Sequence, residues 1–499
     1  MKERPEKFSN SLWSKDQVGK YINPLTLSTT WSFPKSTPEQ SYSLDSLIER
    51  YREAIGLEID QPKVNPTITY SEFLFSGEGS VSWHNPPEKR KYFDEAVGRE
   101  KETFEPLHPD STSIVIIPVH REPEIITLRT LPTDSTTAVV INVNDNKGAP
   151  EEGAALNEFV LEELHERPAT DNLAVMDRTQ QEWVSLGRTG FPHNSIGFAR
   201  AFATEGAIRD MQAKQGDAAL ELPVIWTDAD AYAQEGYYGR VEAFYKENPD
   251  VIAAYAQARS MILPGTEPLH ILGDSAFQYT YLTSYIEKGT PERALGGPVL
   301  TARAKFFTRE VRGEETRTGV RVNDMISSAR SNEDFQLMLL LEKSDTAHPD
   351  EHIVPIPDRV FISPRGKEER SISAIGWGDA ATGNNIHPIA EDGWYFTEFV
   401  KKLSTVVETF QPGLEASLSE VTTRNELLQK MPEIKANLDQ SEAFRDEYAI
   451  EEKLLKEQPG SEMLYATDEG KNIIDASLTL YALHMSTLKK VLAENGRHY

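Results

Sequence analysis

Apolar residues gather in short unbroken runs through the middle of the chain. Ser113-Ile-Val-Ile-Ile-Pro-Val-His120 is the first, followed by Ala138-Val-Val-Ile-Asn-Val-Asn144, Leu173-Ala-Val-Met-Asp177 and Leu222-Pro-Val-Ile-Trp-Thr227. Runs of this length without polar alternation predict strands covered on both faces, the habit of parallel sheets. Between them the spacing of apolar positions predicts helices over Gly153–Arg167 and Ser195–Gln215. Strand and helix thus alternate as in an α/β fold with right-handed crossovers. Ligands in such sheets bind beyond the carboxyl ends of the strands. Those ends carry His120-Arg121-Glu122, Asn142 to Asn146, Asp177-Arg178 and Asp228-Ala-Asp230.

The flanks differ from this pattern. Residues 1–110 read as a mixed N-terminal extension, with a helix over Leu44–Ile55, a strand-like run over Pro66–Phe75 and a Pro- and charge-rich connecting segment over Asn85–Pro109. From 394 to 499 the periodicity is helical, over Trp394–Phe410, Leu414–Leu428, Ser441–Lys456 and Asn472–Asn495. Leu478, Leu480, Leu483 and Leu488 form an apolar stripe suited to helix packing or to contact between copies in a homo-oligomer. The expected division is therefore 1–110, 111–393 and 394–499.

Charge narrows the function classes. The 499 residues hold 52 Lys+Arg against 79 Asp+Glu, a net charge of −27, which disfavours nucleic acid and anionic membrane surfaces as partners. Cysteine is absent, which excludes disulfides, thiolate zinc sites and cysteine nucleophiles. The opening MKERPEKFSNSLW lacks an apolar core for a signal peptide, and no run is long enough for a transmembrane helix. A cytoplasmic protein is expected.

The candidate chemistry is mostly acidic. Asp228 and Asp230, one residue apart where a strand gives way to a turn, suit a hard cation, and Mg²⁺ and Mn²⁺ take oxygen ligands of this kind beside substrate phosphates. A chain this long holds roughly one or two D-x-D triplets by chance, so position after a buried strand carries the weight. Glu333 and Asp334 open the apolar run Phe335 to Leu341, as ordinary first-turn acids of a helix or as a general base. Gly197 and Arg200 sit at a helix start, where the Arg fork suits a carboxylate or phosphate. Gly296 and Gly297 precede a strand-like run, as a tight turn or a surface for a ligand. The P-loop, H-E-x-x-H and G-x-S-x-G patterns are absent.

Taken in order, these pieces resemble bacterial family-2 glycosyltransferases of the GT-A fold. The carriers are Ile116-Ile-Pro-Val-His-Arg-Glu122, Val140-Ile-Asn-Val-Asn144, Gly197-Phe-Ala-Arg200, Asp228-Ala-Asp230, the Gly296–Arg303 segment, Glu333-Asp334 and Val360 to Gly376 with Arg365 and Arg370. The resemblance covers about residues 111–385. It implies a mixed, mainly parallel sheet with flanking helices, and transfer of a sugar, with inversion, from a UDP- or GDP-sugar to a hydroxyl of a glycan or small molecule. It further implies Mn²⁺ or Mg²⁺ on Asp228 and Asp230. Pro118, Arg121, Glu122, Asn144, Asp177, Arg200 and Asp228 would face the donor. Gly296, Gly297, Arg365 and Arg370 would form the acceptor region. Asp334 would be the base, with Glu333 beside it. Replacing either D-x-D carboxylate by Ala is expected to leave the melting temperature nearly unchanged. Two alternatives are an inactive GT-A module used for assembly and a sugar-nucleotidyl transferase. The latter normally has a glycine-rich basic loop after the first strand, where this chain has Val119-His-Arg-Glu-Pro123.

Overall fold

The computed structural model describes residues 87–122, 125–132, 136–146, 151–165, 172–181, 196–262, 268–289, 299–311, 320–323, 326, 352–362, 394–414, 418–458 and 460–499. The expected elements at Leu44–Ile55 and Pro66–Phe75 lie outside these residues. The chain is α/β, built on a mixed, largely parallel sheet of eight strands.

The first described element is helix α1 (Pro87–Arg99), in the stretch read from sequence as a connector. Strand β1 (Ser113–Val119) is buried at all positions and pairs in parallel with β2 (Thr137–Asn146), so that Ile114 faces Ala138. Both apolar runs are therefore neighbouring buried strands, as their composition predicts. Between them the described residues form a short 3-10 helix, Ile126–Arg129. Helix α2 (Glu151–His165) leads to β3 (Leu173–Gln181), parallel to β2. Helix α3 (Ile196–Gln215) leads to β4 (Pro223–Trp226), parallel to β1 on its other side.

Past β4 come the short strand β5 (Ala231–Ala233), helix α4 (Tyr237–Glu247), β6 (Val251–Ser260), helix α5 (Pro268–Lys288), β7 (Leu300–Arg303) and helix α6 (Ala304–Thr308). Strands β8 (Glu310–Val311) and β9 (Val320–Arg321) form a separate two-stranded ribbon, and β10 (His352–Ile362) returns to the main sheet. The sheet order is β3-β2-β1-β4-β7-β6-β10-β5. Strand β7 runs antiparallel to both β4 and β6, β10 is parallel to β6, and β5 closes the edge antiparallel to β10. The carboxyl ends of β1, β2, β3, β4, β6 and β10 consequently share one edge of the sheet.

Helix α3 is apolar around most of its circumference, with Phe198, Ala201, Phe202, Ala203 and Ala207 all buried. One side meets β1 and β2, and the other is covered by α1. Phe93 of α1 meets Phe198 and Phe202 edge-on at 5.9 and 5.7 Å, and Arg178 caps the Phe202 ring at 3.9 Å. The expected connector is thus part of the core. Gly206 of α3 is required by close approach, because a Cβ there would overlap the buried Phe104 ring. In an exposed helix Gly→Ala gains up to about 1 kcal/mol. Here overpacking dominates, and Gly206→Ala is expected to lower stability by about 1–3 kcal/mol, read as a lower denaturant midpoint. An unchanged or raised midpoint would mean that the Phe104 ring moves aside freely.

The C-terminal region comprises α7 (Trp394–Phe410), α8 (Arg424–Leu438), α9 (Glu442–Lys456), the single turn α10 (Ser461–Leu464) and α11 (Asp468–Glu494). Helix α8 corrects the expected span Leu414–Leu428. A capping box starts it late, with Thr423 Oγ1 accepting from Glu426 N and Glu426 reaching back to Thr423 N. Pro432, a boundary signal in sequence, is carried inside this helix. The α11 leucines are buried within the chain against α5, α7, α8 and α9. Tyr279 donates to Leu480 O at 2.9 Å and Tyr481 to Ile271 O at 2.8 Å, fixing α11 on α5. Residues of the sheet and of these helices belong to one continuous apolar cluster.

A polar knot ties the same helices to the sheet. Arg359 of β10 donates to Glu451 Oε1 at 2.8 Å and to Glu447 Oε2 at 2.7 Å, both on α9. Arg259 of β6 donates to Glu451 Oε1 at 3.1 Å and to Gln278, and lies 4.0 Å from the Tyr481 ring centroid. Lys489 of α11 pairs with Glu447. His484 is buried beside this knot.

Candidate active site

The turn after β4 is the most constrained acidic feature at the shared strand edge. Trp226, fully buried, donates its indole N–H to Thr204 Oγ1 at 3.1 Å and packs 5.1 Å from Phe307, which pins the strand end. Thr227 N donates to Ile116 O at 3.2 Å, so the chain leaves the sheet in register with β1. It then folds back, with Ala231 N donating to Asp228 O at 3.1 Å. Thr127, in the 3-10 helix between β1 and β2, clamps this turn. Its Oγ1 lies 2.5 Å from Asp228 O and 2.8 Å from Ala231 O, and its N–H donates to Ala229 O at 3.2 Å. The abbreviated β1–β2 connection therefore holds the D-x-D backbone.

Arg200, on the first turn of α3, reaches across to Asp228 Oδ1. The Arg is 2% exposed and Asp228 7%, and the guanidinium lies 5.5 Å from the Trp226 ring centroid. Asp230 is 3% exposed. The two acids share one tight turn, which matches the one or two protein carboxylates that Mg²⁺ or Mn²⁺ takes alongside substrate phosphates. Among the described residues no group of three or more His, Asp or Glu side chains is arranged as a metal cage. Asp228 and Asp230 are the residues of this turn that could hold such an ion, together with a substrate and water.

The adjoining strand ends add a second cluster. Arg121, just past β1, adopts a left-handed backbone (φ 55°), which places its fork on Asp145 at the end of β2. Nε donates to Asp145 Oδ2 and Nη2 to Oδ1, both at 2.8 Å. Asn157 of α2 joins them, donating to Asp145 Oδ2 at 2.9 Å and accepting from Arg121 N at 2.8 Å. The hydrogen bond to Asp145 holds the Arg121 guanidinium above its ordinary pKa. His120 donates from Nδ1 to Asn144 O at 2.8 Å. The Asn142 and Asn144 amide oxygens are enclosed and have no hydrogen-bond partner among the described residues, an unusual state for buried acceptors.

The sequence-derived residues fall into three groups. Arg121, Glu122, Asn144, Arg200, Asp228 and Asp230 lie at or just past the carboxyl ends of the strands, as expected, and Pro118 is the buried penultimate residue of β1 opposite Asn142. Asp177 departs from the expectation. Strand β3 continues to Gln181, so Asp177 lies within it, exposed, with its Oδ1 accepting from Thr179 N and Oγ1. Glu333, Asp334, Gly296, Gly297, Arg365 and Arg370 lie outside the described residues. Sequence reasoning missed Thr127 and Asn157, and placed Asp145 at a strand end without giving it a role. Asp145 had a signal as a polar residue at a strand end, whereas a lone Thr in a short connection has none.

No protein-family model and no curated protein matches the chain. No family is shown, and a functional reading rests on the residues themselves. No described helix is long and apolar enough to cross a membrane.

Proposed function

We propose that the chain is a metal-dependent glycosyltransferase of GT-A type, moving a sugar from a nucleotide-sugar to a hydroxyl acceptor. The observation that carries this reading is the Asp228–Asp230 turn. It is buried, clamped by Thr127, paired with Arg200 and placed at the carboxyl edge of a mainly parallel sheet, where α/β folds bind their ligands.

In this reading Asp228 and Asp230 would hold the ion, which when bound would supply positive charge against the departing diphosphate. Arg200 orients Asp228 from behind and adds positive charge on the same side. The Arg121–Asp145–Asn157 cluster fixes the mouth of the site rather than offering Asp145 itself, because both Asp145 oxygens already accept from Arg121 or Asn157. The acceptor proton is assigned to Asp334, with Glu333 beside it, on the sequence pattern alone.

The reading is tested by incubating UDP-glucose and GDP-mannose with the purified chain and Mn²⁺. Mn²⁺-dependent release of UDP or GDP, lost in Asp334→Asn, is the expected result. No release from either donor, with water or with a sugar acceptor, would remove these two donors from the reading. Release that persists in Asp334→Asn and fails in Glu333→Gln would exchange the two roles.

A further inference from the structure

A cleft of about 1080 Å³ opens between β5 and the end of β10 on one side and α9–α10 on the other. It is larger than the ~300–1,000 Å³ typical of a small-molecule site. Strand β5 begins directly after Asp230, so the Cα of Tyr232, in the cleft wall, lies at most about 7 Å from the Cα of Asp230. From these features we infer that the cleft binds the acceptor as a neutral carbohydrate of more than one ring. The inference rests on the transferase reading for the word acceptor, and on the cleft alone for the word carbohydrate.

The lining selects this ligand class. The Tyr232 ring is half-buried and backed by Phe361, with centroids 6.2 Å apart and planes tilted by 45°, which gives an aromatic wall against which the C–H face of a sugar ring can lie. Met261, Ile450 and Leu454 extend the apolar surface. Around it stand groups that match hydroxyls. Gln234 and Gln458 each use the amide oxygen on a backbone N–H, that of Arg359 at 3.4 Å and that of Ile262 at 2.7 Å, which directs the amide N–H groups to other partners. Ser461, Glu235 and Glu462 add further polar atoms.

An anionic ligand is disfavoured by how the cations are arranged. Arg240 donates to Asp358 at 2.9 and 2.5 Å, Lys456 meets Glu452 at 2.7 Å, and Lys453 stands 3.8 Å from Glu457. Each positive group in the lining already faces a carboxylate, so the cleft carries no excess positive field for a phosphate. A ligand rich in hydroxyls and without net charge can use donors and acceptors of both signs.

Saturation-transfer NMR with maltose, cellobiose, lactose and trehalose tests the inference on the full chain, alongside titration of UDP-glucose and GDP-mannose in Mn²⁺. At least one disaccharide is expected to receive transfer from the wild type. Tyr232→Ala and, independently, Leu454→Trp, which fills the cleft from α9 without touching β5, should each weaken it at least tenfold, with donor affinity unchanged. Lys453→Gln combined with Lys456→Gln should keep it within about twofold. The inference is overturned if none of the four disaccharides receives transfer, if binding survives in Leu454→Trp, or if pyrophosphate displaces the sugar and the double Lys variant loses it. Disaccharide binding without nucleotide-sugar binding would uphold the cleft and count against the transferase reading. Nucleotide-sugar binding without disaccharide binding would do the reverse.

Discussion

Glu451→Gln is expected to lower stability by about 3–5 kcal/mol, the range for breaking a buried ion pair by removing one partner. Two guanidiniums, Arg359 and Arg259, converge on Glu451 Oε1, and Glu451, Arg359 and Arg259 are each no more than 3% exposed. An amide in its place cannot balance both cations, and the contact fixing α9 against β6 and β10 is weakened. Replacing Arg359 with Met together with Glu451→Leu should cost less than Glu451→Gln if burial of the remaining charges is the cause. A chemical-denaturation series reads the order of the two variants, and the reverse order would mean that the charge network itself supplies the stability.

The same knot sets the acid side of the stability profile. Burial raises the Glu451 carboxyl, and the Arg359 and Arg259 charges more than offset it, holding it at about 2. Its contribution is present above the ordinary carboxyl range and is lost as pH falls toward 2. Burial, with the Arg259 charge acting in the same direction, holds His484 down to about 3. The unfolded chain takes up that proton near pH 6.5 and the folded chain does not, so stability falls with pH from about 6.5. Between pH 6.5 and 5, where Glu451 is ionised in both states, His484 contributes a slope approaching about 1.4 kcal/mol per pH unit. A His484→Asn variant should be nearly flat over that interval, and a slope equal to wild type would assign the loss to another group.

The second large effect concerns the D-x-D pair. Asp230→Ala should cut transfer by at least two to three orders of magnitude, the scale for removing a group that stabilises developing charge. Asp228→Ala should lose turnover as fully and lose stability as well, by about 1–3 kcal/mol, because it withdraws a carboxylate from the deeply buried Arg200 guanidinium. This replaces the expectation from sequence that both carboxylates are dispensable for stability. A melting temperature of Asp228→Ala equal to wild type would show that the Arg200 pair adds nothing to the fold.

These differences mark where sequence stops being informative. Strands β1 and β2 were legible because burial on both faces leaves an unbroken apolar run. The far half of β3 was hidden, since an edge strand tolerates the polar Arg178-Thr-Gln-Gln181. Strand β6 was hidden by its alanines, which fit a crowded interior but carry weak strand preference. Among its described side chains, helix α1 buries Phe93, Ala96 and Val97, amid charges that dominate the local composition. At the site, the D-x-D spacing is local and was readable. The Arg200–Asp228 pair and the Thr127 clamp join residues 28 and 101 positions apart, so only the packed fold brings them together.

The central claim is that the Asp228–Asp230 turn holds a metal–nucleotide-sugar complex. Its most direct test is equilibrium titration of UDP-glucose and GDP-mannose into wild type and Asp230→Ala, each with and without Mn²⁺, followed by calorimetry. The account predicts saturable binding of one donor to the wild type that requires Mn²⁺ and is lost in Asp230→Ala. Donor binding of equal affinity in the wild type and the variant, with or without Mn²⁺, would contradict it.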